Sequence, residues 1–341
     1  MKALKFIGFL ILILSIGVVM YFGAKDGDYD IHDSRVIQAP TTVIFNTIND
    51  YKTWEHWGPW KKEDATMVFE YPEKTVGVGG SYSWTGTMDG AMITTALEEN
   101  KFINQDRTLY TPAGERHPKV YWAFEPSENG GTKVSWGMRG THTLIDKMYY
   151  AFSGNDFEAQ MHEMNNSGFE GLENFVKKEM DKYEVSTPTI TEYGGGYYVY
   201  ITSSTTPANM QPTMAQNYGN LIAFLGQNRL PMTGMPFTIY NEFGANGGVI
   251  MSNALPIKNK VTVTGETNIL CAYQEPIKAV RVTLKGNYTH LGKAWEAAQQ
   301  HLATAGLIAS DQKPFEIYTN DPGNFPNPAD WTTEIYIPIK D

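Results

Sequence analysis

The acidic residue best placed for chemistry is Glu334, in the apolar segment WTTEIYIPI at residues 331–339. If this segment is a strand, the alternation of side chains puts Glu334 and Tyr336 on one face and Ile335 on the other. A buried carboxylate without a partner is costly and its pKa rises, so Glu334 is expected to meet a cation or to accept hydrogen bonds from tyrosines such as Tyr318. The alternative is a solvated carboxylate on the outer face of a sheet.

Aromatic side chains are predicted to form the walls of this site. The predicted ligand-binding residues are Glu334, Tyr318, Tyr240, Trp295 and Tyr336. Tyr240 and Tyr318 occupy equivalent positions in an internal repeat, and flat π-faces suit hydrophobic cations. Ordinary packing in the core or on a sheet is the alternative for each ring. Ser252 occupies the position equivalent to Glu334, so the acid is present in one copy alone, which favours a functional role.

The elements that must position these residues are duplicated. The segment MPFTIY at residues 235–240 recurs as KPFEIY at residues 313–318, 78 residues later. The strand end LPI at residues 255–257 recurs as IPI at residues 337–339, 82 residues later. Helical patterns precede both copies of the first segment. The repeat predicts a duplicated αββ unit whose two copies leave a groove at a pseudo-twofold axis, where small molecules bind.

The extent of this region, its duplication and its final segment resemble the GyrI-like (SOUL-like) effector-binding family over residues 189–341. That family includes effector domains of multidrug-sensing transcription activators and some hydrolases of reactive small molecules. The resemblance implies that a glutamate in the last strand faces the groove, where it pairs with a cationic ligand or acts as a general base. In this sequence that position is Glu334.

The preceding region has a different order of elements. A strand and a short helix are followed by tryptophans, a glycine-rich turn, antiparallel strands and a long helix over about residues 156–182. The order resembles the START-like (SRPBCC, polyketide cyclase-like) superfamily, on residues 39–40, 50–54, 57–60, 77–80 and 82–84. The resemblance implies a helix-grip fold with an apolar cavity over residues 30–182. Residues 183–188 are predicted to be a linker.

The N-terminus carries an apolar run of 19 residues, 6–24, which follows Lys2 and Lys5. As a helix it would be about 28 Å long, close to the thickness of a bilayer's hydrocarbon core. The basic residues predict that the N-terminus is cytoplasmic. We therefore expect residues 1–25 to be a single-pass anchor in the cytoplasmic membrane of a bacterium, with the following domains in the periplasm. A cleaved signal peptide is the alternative.

Composition excludes several classes of function. The net charge is −10 and no run of Lys and Arg exists, so nucleic acid is not expected as a partner. Cys271 is the single cysteine, and the seven histidines show no paired metal-binding spacing. Neither a metal nor a cofactor is predicted. The expected fold class is α+β, with an N-terminal transmembrane helix, a helix-grip domain and a duplicated αββ domain.

We interpret the chain as a membrane-anchored protein that binds hydrophobic, amphipathic or cationic small molecules. Binding without catalysis is the leading hypothesis. The sequence does not separate it from an enzyme, because both require the same acid beside aromatic walls, but a hydrolase triad lacks its Gly-x-Ser-x-Gly nucleophile motif. One alternative is a hydrolase that uses Glu334 as base and Tyr318 as proton donor. A second alternative is a carrier of lipid or another hydrophobe through the START-like region.

Overall fold

The computed structural model describes residues 2–128, 130–244, 247–265 and 267–340, with side chains from residue 5 onward. The chain divides into two compact units at the Lys178–Glu179 bond. We call residues 1–178 the first unit and residues 179–341 the second unit. Both are mixed α+β units built on antiparallel sheets, which confirms the α+β part of the predicted fold class.

The N-terminal helix α1 covers Lys2–Ala24. Its segment Lys5–Ala24 has a mean hydropathy of 2.5 and is exposed over nearly its whole length. By length and composition α1 could cross a membrane, and a signal sequence would meet the same criterion.

An eight-strand antiparallel sheet forms the body of the first unit. Its elements after α1 are β1 (Asp28–Ile37), α2 (Thr41–Asn49), α3 (Trp54–Trp57), α4 (Trp60–Glu63), β2 (Val68–Glu70), β3 (Ser81–Thr85), β4 (Asp89–Glu98), β5 (Phe102–Thr111), β6 (Gly114–Arg116), β7 (Lys119–Pro126), β8 (Thr132–Thr141), α5 (Leu144–Ser153) and α6 (Phe157–Met180). The strand order is β1-β8-β7-β5-β4-β3-β2, and β6 adds to β5. Every pairing is antiparallel.

The long helix α6 packs on the inner face of this sheet. Its buried positions repeat every three or four residues, as the sequence pattern predicts: Asn165, Gly168, Phe169, Leu172 and Val176. A Cβ at Gly168 would lie 2.5 Å from the Trp136 ring, and one at Gly171 would lie 1.9 Å from the carbonyl oxygen of Trp57. Glycine is therefore favoured at both positions, because a larger residue would push α6 away from β8 at Gly168 and away from α3 at Gly171.

A nine-strand antiparallel sheet and two helices make up the second unit. The elements are β9 (Tyr183–Val185), β10 (Thr189–Tyr193), β11 (Gly196–Thr205), α7 (Met210–Gln227), β12 (Phe237–Phe243), β13 (Val249–Ile257), β14 (Leu270–Gln274), β15 (Ile277–Gly286), α8 (Leu291–Ala305), β16 (Phe315–Tyr318) and β17 (Thr332–Pro338). The order is β10-β15-β17-β16-β12-β13-β11-β14, with β9 added to β15.

The structure corrects two details of the predicted organisation. Each copy of the repeat is βαββ rather than αββ, since β11 precedes α7 and β15 precedes α8. Tyr183–Val185, which we expected in a linker, form β9 and pair with β15. Short strands of this kind carry a weak sequence signal, because their pairing partner lies about a hundred residues away.

The two helices cover one face of the second sheet. Leu221 and Leu225 of α7 pack against Val199, Ile201 and Leu255. In the other copy, Ala294 and Ala298 of α8 pack against a row of aliphatic residues that includes Ile335, Ile337 and Ile339. Each fully buried branched side chain contributes about 1.5–3 kcal/mol. We call this covered side of the sheet the helix face.

Candidate functional site

The two copies of the repeat meet at strands β12 and β16, which pair with each other. Thr238 lies directly opposite Glu316, and these two residues hold equivalent positions in the repeat. The flanking pairs, Phe237 with Ile317 and Ile239 with Phe315, are also exchanged by the repeat. The pseudo-twofold axis therefore passes through the Thr238–Glu316 pair. One position on the axis carries a hydroxyl and the other carries an acid.

Glu316 is the acid at the centre of the site. It is 1% exposed, and its carboxylate accepts three hydrogen bonds. The indole Nε1 of Trp295 donates to Oε1 at 2.6 Å. The hydroxyls of Tyr240 and Tyr318 donate to Oε2 at 2.8 and 2.9 Å. Three of the predicted wall residues therefore surround a carboxylate, and that carboxylate belongs to Glu316.

The charge of Glu316 has no positive partner among the described residues: its three donors are all neutral. Burial raises the pKa of the Glu316 carboxyl above its ordinary value, and the three hydrogen bonds oppose that rise. Burial and the nearby carboxylate raise the pKa of Tyr240 and Tyr318, so both hydroxyls remain donors. The site thus holds a carboxyl group among neutral dipoles in a water-poor environment, where its ionised form would strongly attract a positive charge.

A polar network supports the site from the side of Thr238. The Thr238 hydroxyl lies 2.9 Å from the Tyr218 hydroxyl and 3.1 Å from that of Tyr318. Asn253 donates to the same oxygen at 2.9 Å, and Asn217 of α7 donates to Asn253 at 2.8 Å. These hydrogen bonds come from residues of the first copy of the repeat, and they hold the Tyr318 ring of the second copy in place. The two copies therefore build one site jointly.

Aromatic and sulfur-containing side chains enclose the carboxylate. The Tyr240 and Trp295 rings meet edge to face with their centroids 5.6 Å apart. Partly buried Met210 and Met214 of α7 pack on this pair. Tyr288 packs edge to face on Tyr318 at 5.6 Å. Flat rings and flexible thioethers can adapt to ligands of different shapes.

Glu334 and Tyr336 lie on the other face of the sheet. Glu334 is paired with Ile317 and Thr283, whose side chains point away from the helix face. Its carboxylate accepts a hydrogen bond of 2.7 Å from the Tyr336 hydroxyl and lies 3.5 Å from Arg281. The predicted strand parity of Glu334 and Tyr336 is confirmed. Their grouping with Tyr240, Tyr318 and Trp295 is corrected. Glu334 and Tyr336 are two residues apart on β17, so both side chains point to the face opposite the helices.

Tyr336 belongs to an aromatic cluster on that opposite face. Its ring stacks on Phe315 at 5.0 Å, and Tyr193 contacts both rings. The sequence does contain a signal for Glu316, since the repeated segments differ there by a threonine and a glutamate. An acid inside an otherwise apolar strand, in phase with Tyr318, indicates a buried carboxylate. We find no group of His, Cys, Asp and Glu suited to a metal ion in the described residues.

Comparisons with known proteins bear on the second unit. The crystal structure of the EcmrR C-terminal domain is 21% identical, covers 47% of this chain and 98% of its own, and has a TM-score of 0.38. The cryo-EM structure of an EcmrR–DNA complex is 20% identical, covers 59% and 78%, and has the same TM-score of 0.38. Protein CV1439 from Chromobacterium violaceum is 14% identical, covers 43% and 96%, and has a TM-score of 0.35. No curated protein matches the sequence.

A family model matches part of the second unit. The matched residues cover β15, α8, β16 with Glu316 and β17, which form the second copy of the repeat and carry Trp295, Glu316 and Tyr318 of the buried site. Residues 275–340 match the GyrI-like small molecule binding domain.

Proposed function

We propose that the second unit binds a cationic, amphipathic small molecule whose positive charge pairs with Glu316. The observation that carries this proposal is a buried carboxylate that accepts hydrogen bonds from three neutral donors and forms no salt bridge among the described residues. The match of residues 275–340 to a small molecule binding domain supports it.

The physical reason is the cost of an uncompensated buried charge. Removing a carboxylate from water is expensive, and neutral donors offset only part of that cost. A ligand cation would supply the missing charge, and the faces of Tyr240 and Trp295 would attract it further. Because the side chains cover Glu316 almost completely, entry of a ligand requires the rings of Tyr240 and Trp295 to move. Trp295 is partly exposed, so it is the natural side of entry.

The proposal is tested by binding of (2-naphthylmethyl)trimethylammonium to the full chain in lipid nanodiscs, with empty nanodiscs as reference. A quaternary ammonium about 4 Å from a carboxylate is attracted by about 4 kcal/mol at an effective dielectric constant of about 20, and desolvation offsets part of this. Glu316→Gln is therefore expected to weaken binding about tenfold or more. Glu334→Gln is the matched control, since it removes an acid from the opposite face, and is expected to leave the affinity unchanged. Neutral 2-naphthylmethanol is expected to bind wild type and Glu316→Gln with equal affinity.

Equal affinity of wild type and Glu316→Gln for the cation would contradict the proposal. A loss of affinity in Glu334→Gln alone would place the binding site on the other face of the sheet. Thermal unfolding of each variant checks that the second unit remains folded.

A hydrolase at the same site is the second candidate. Burial raises the pKa of Glu316, which is the direction that makes a carboxylate a stronger general base, and the Tyr318 hydroxyl beside it would be the proton donor. The predicted pair of Glu334 with Tyr318 cannot act together, because the two side chains lie on opposite faces. Hydrolysis of 4-nitrophenyl acetate that is lost in Glu316→Gln and kept in Glu334→Gln would favour the enzyme; equal turnover in all three proteins would reject it.

We further propose that α1 anchors the protein in the cytoplasmic membrane, with the rest of the chain in the periplasm as Lys2 and Lys5 predict. Helix α5 supports this, because three large apolar side chains on it are exposed: Ile145, Tyr149 and Phe152. The Phe152 ring lies 5.7 Å from Phe22 near the end of α1, and Lys147 donates to the carbonyl of Lys25. The exposed apolar side of α5 would then rest in the membrane interface. Release of the protein from membranes by alkaline carbonate would contradict the anchor.

A further inference from the structure

The first unit contains an open cavity of about 1010 Å³ between the inner face of its sheet and the beginning of α6. Apolar side chains provide much of its lining, among them Trp60, Trp84, Leu109, Met138, Met161 and Met164. The volume is sufficient for a small organic ligand of drug size. Nothing in the binding role proposed for the second unit uses this cavity.

Arg107 is a cation inside the cavity that forms no ion pair with a carboxylate among the described residues. Arg107 of β5 lines the cavity, and its Nη1 contacts the sulfur of Met138 at 3.9 Å. The guanidinium lies over the Trp84 ring, with Cζ 5.5 Å from the centroid. Its Nε is buried and has no hydrogen-bond partner, and Arg107 forms no salt bridge among the described residues.

The electrostatics of Arg107 follow from this position. Burial lowers the pKa of the guanidinium from its ordinary value. The group stays charged at neutral pH, because the ordinary pKa of arginine lies far above that range. An unsatisfied buried donor costs about 1–3 kcal/mol, and more on a charged group. The fold therefore keeps a cation at a position where nothing in the described residues neutralises it.

The other basic residues at the cavity are already occupied or exposed. Arg116 donates to both carboxylate oxygens of Asp146 at 2.7 and 2.8 Å. Lys119 donates to Asp106 at 2.6 Å. Arg139 is exposed. Arg107 is half-buried, its Nε atom is fully buried, and it forms no salt bridge among the described residues, so it remains available to a ligand.

Besides Asp146, four acids line the cavity, of which Asp28, Asp30 and Glu63 are exposed and Asp64 is half-buried. Asp28 accepts a hydrogen bond from Thr141, and Asp30 accepts one from Tyr121. Asp64 accepts from Thr66 and from the backbone of Thr87. Glu63 is exposed to solvent, where salt screens its charge. None of these carboxylates neutralises Arg107.

We propose that this cavity binds a hydrophobic anion, with a carboxylate or phosphate on the Arg107 guanidinium and a flat or chain-like apolar body against Trp84, Trp60 and the methionines. Arginine suits such a head group, because its fork of N–H donors matches two oxygens. A soluble aromatic acid and an anionic lipid share this chemistry. The two units would then select ligands of opposite charge.

The test uses three probes with one naphthyl body and the full chain in nanodiscs of zwitterionic lipid. These are 2-naphthoate, its neutral amide and (2-naphthylmethyl)trimethylammonium. Wild type is expected to bind 2-naphthoate about tenfold or more tightly than the amide. Arg107→Gln is expected to remove this preference, and Arg107→Lys to keep part of it because the charge is retained.

Two controls separate this site from the others. Arg139→Gln removes an exposed cation at the same cavity and is expected to keep the preference for 2-naphthoate. Glu316→Gln, in the second unit, is expected to keep it as well, so a failure of the function proposed there would not affect this result.

Equal affinity of wild type for naphthoate and amide would overturn the proposal, as would an undiminished preference in Arg107→Gln. Repeating the titration in nanodiscs that contain phosphatidylglycerol identifies the source of the natural ligand. Competition by that lipid would assign an anionic lipid, and unchanged affinity would assign a soluble acid.

Discussion

In the second unit Glu316 is covered almost completely and accepts hydrogen bonds from Trp295, Tyr240 and Tyr318. In the first unit Arg107 stands at an open cavity, with a sulfur and an indole face beside it and one donor unsatisfied. Both side chains lack an opposite charge among the described residues. The acid is held by a network that spans two copies of a repeat, whereas the cation has almost no support.

This difference separates two ways of keeping a buried charge. Three fixed donors preorganise Glu316, so removing the acid leaves those donors without an acceptor. Removing Arg107 leaves no hydrogen-bond partner behind among the described residues except the sulfur of Met138, and replacing such a charge by an apolar group is often neutral or stabilising. The comparison predicts that the two substitutions differ in their effect on stability.

The largest effect is expected for Glu316→Leu. The substitution leaves the indole of Trp295 and two tyrosine hydroxyls without a hydrogen-bond acceptor. The free energy of opening of β12 and β16 should therefore fall by about 2–4 kcal/mol. Hydrogen exchange measured on peptides from these strands reports the second unit separately. Glu334→Leu, on the half-exposed opposite face, is the control and should change opening by less than about 1 kcal/mol. An effect of Glu316→Leu no larger than that of the control would contradict a preorganised site.

The pH dependence should be next in size. The folded pKa of Glu316 is raised above its ordinary 4.5, so its contribution to stability is full below that value and declines as pH rises through the folded pKa. Over the same window, deprotonation should strengthen binding of (2-naphthylmethyl)trimethylammonium by up to about tenfold per pH unit. Titrations in Glu316→Gln should lack this dependence.

Binding of 2-naphthoate at Arg107 should have the same affinity between about pH 6 and 8, since arginine remains charged. A change of affinity with pH in that range would contradict the contrast between the two sites.

The smallest effect is expected for Arg107→Met. Methionine fills a similar volume among Met138 and Trp84 without a charge to desolvate, so the first unit should change in stability by less than about 1 kcal/mol or become more stable. Hydrogen exchange on β5 measures this. A loss of several kcal/mol would show that Arg107 has a structural partner and would end the comparison with Glu316.

Much of the architecture could be predicted from local patterns. The spacing of apolar residues predicts α6, and the repeated segments predict the duplication that β12 and β16 confirm. Tyr240, Tyr318 and Trp295 do meet in one site. The strands β9 and β11 were missed, because short or tyrosine-rich segments have no distinctive period. The START-like resemblance of residues 30–182 and the ligand-binding role of the site residues stay predictions.

The choice between the two acids could not be made from the sequence. Strand parity is local, so the sequence by itself determines that Glu334 shares a face with Tyr336 and that Glu316 shares one with Tyr318. Only the tertiary structure decides which face the helices cover and which residue the pseudo-twofold axis meets. The isolation of Arg107 is also a tertiary property, because the absence of a carboxylate depends on all the strands and helices that surround the cavity. Local periodicity fixed the elements, and packing between distant segments decided where charge is buried.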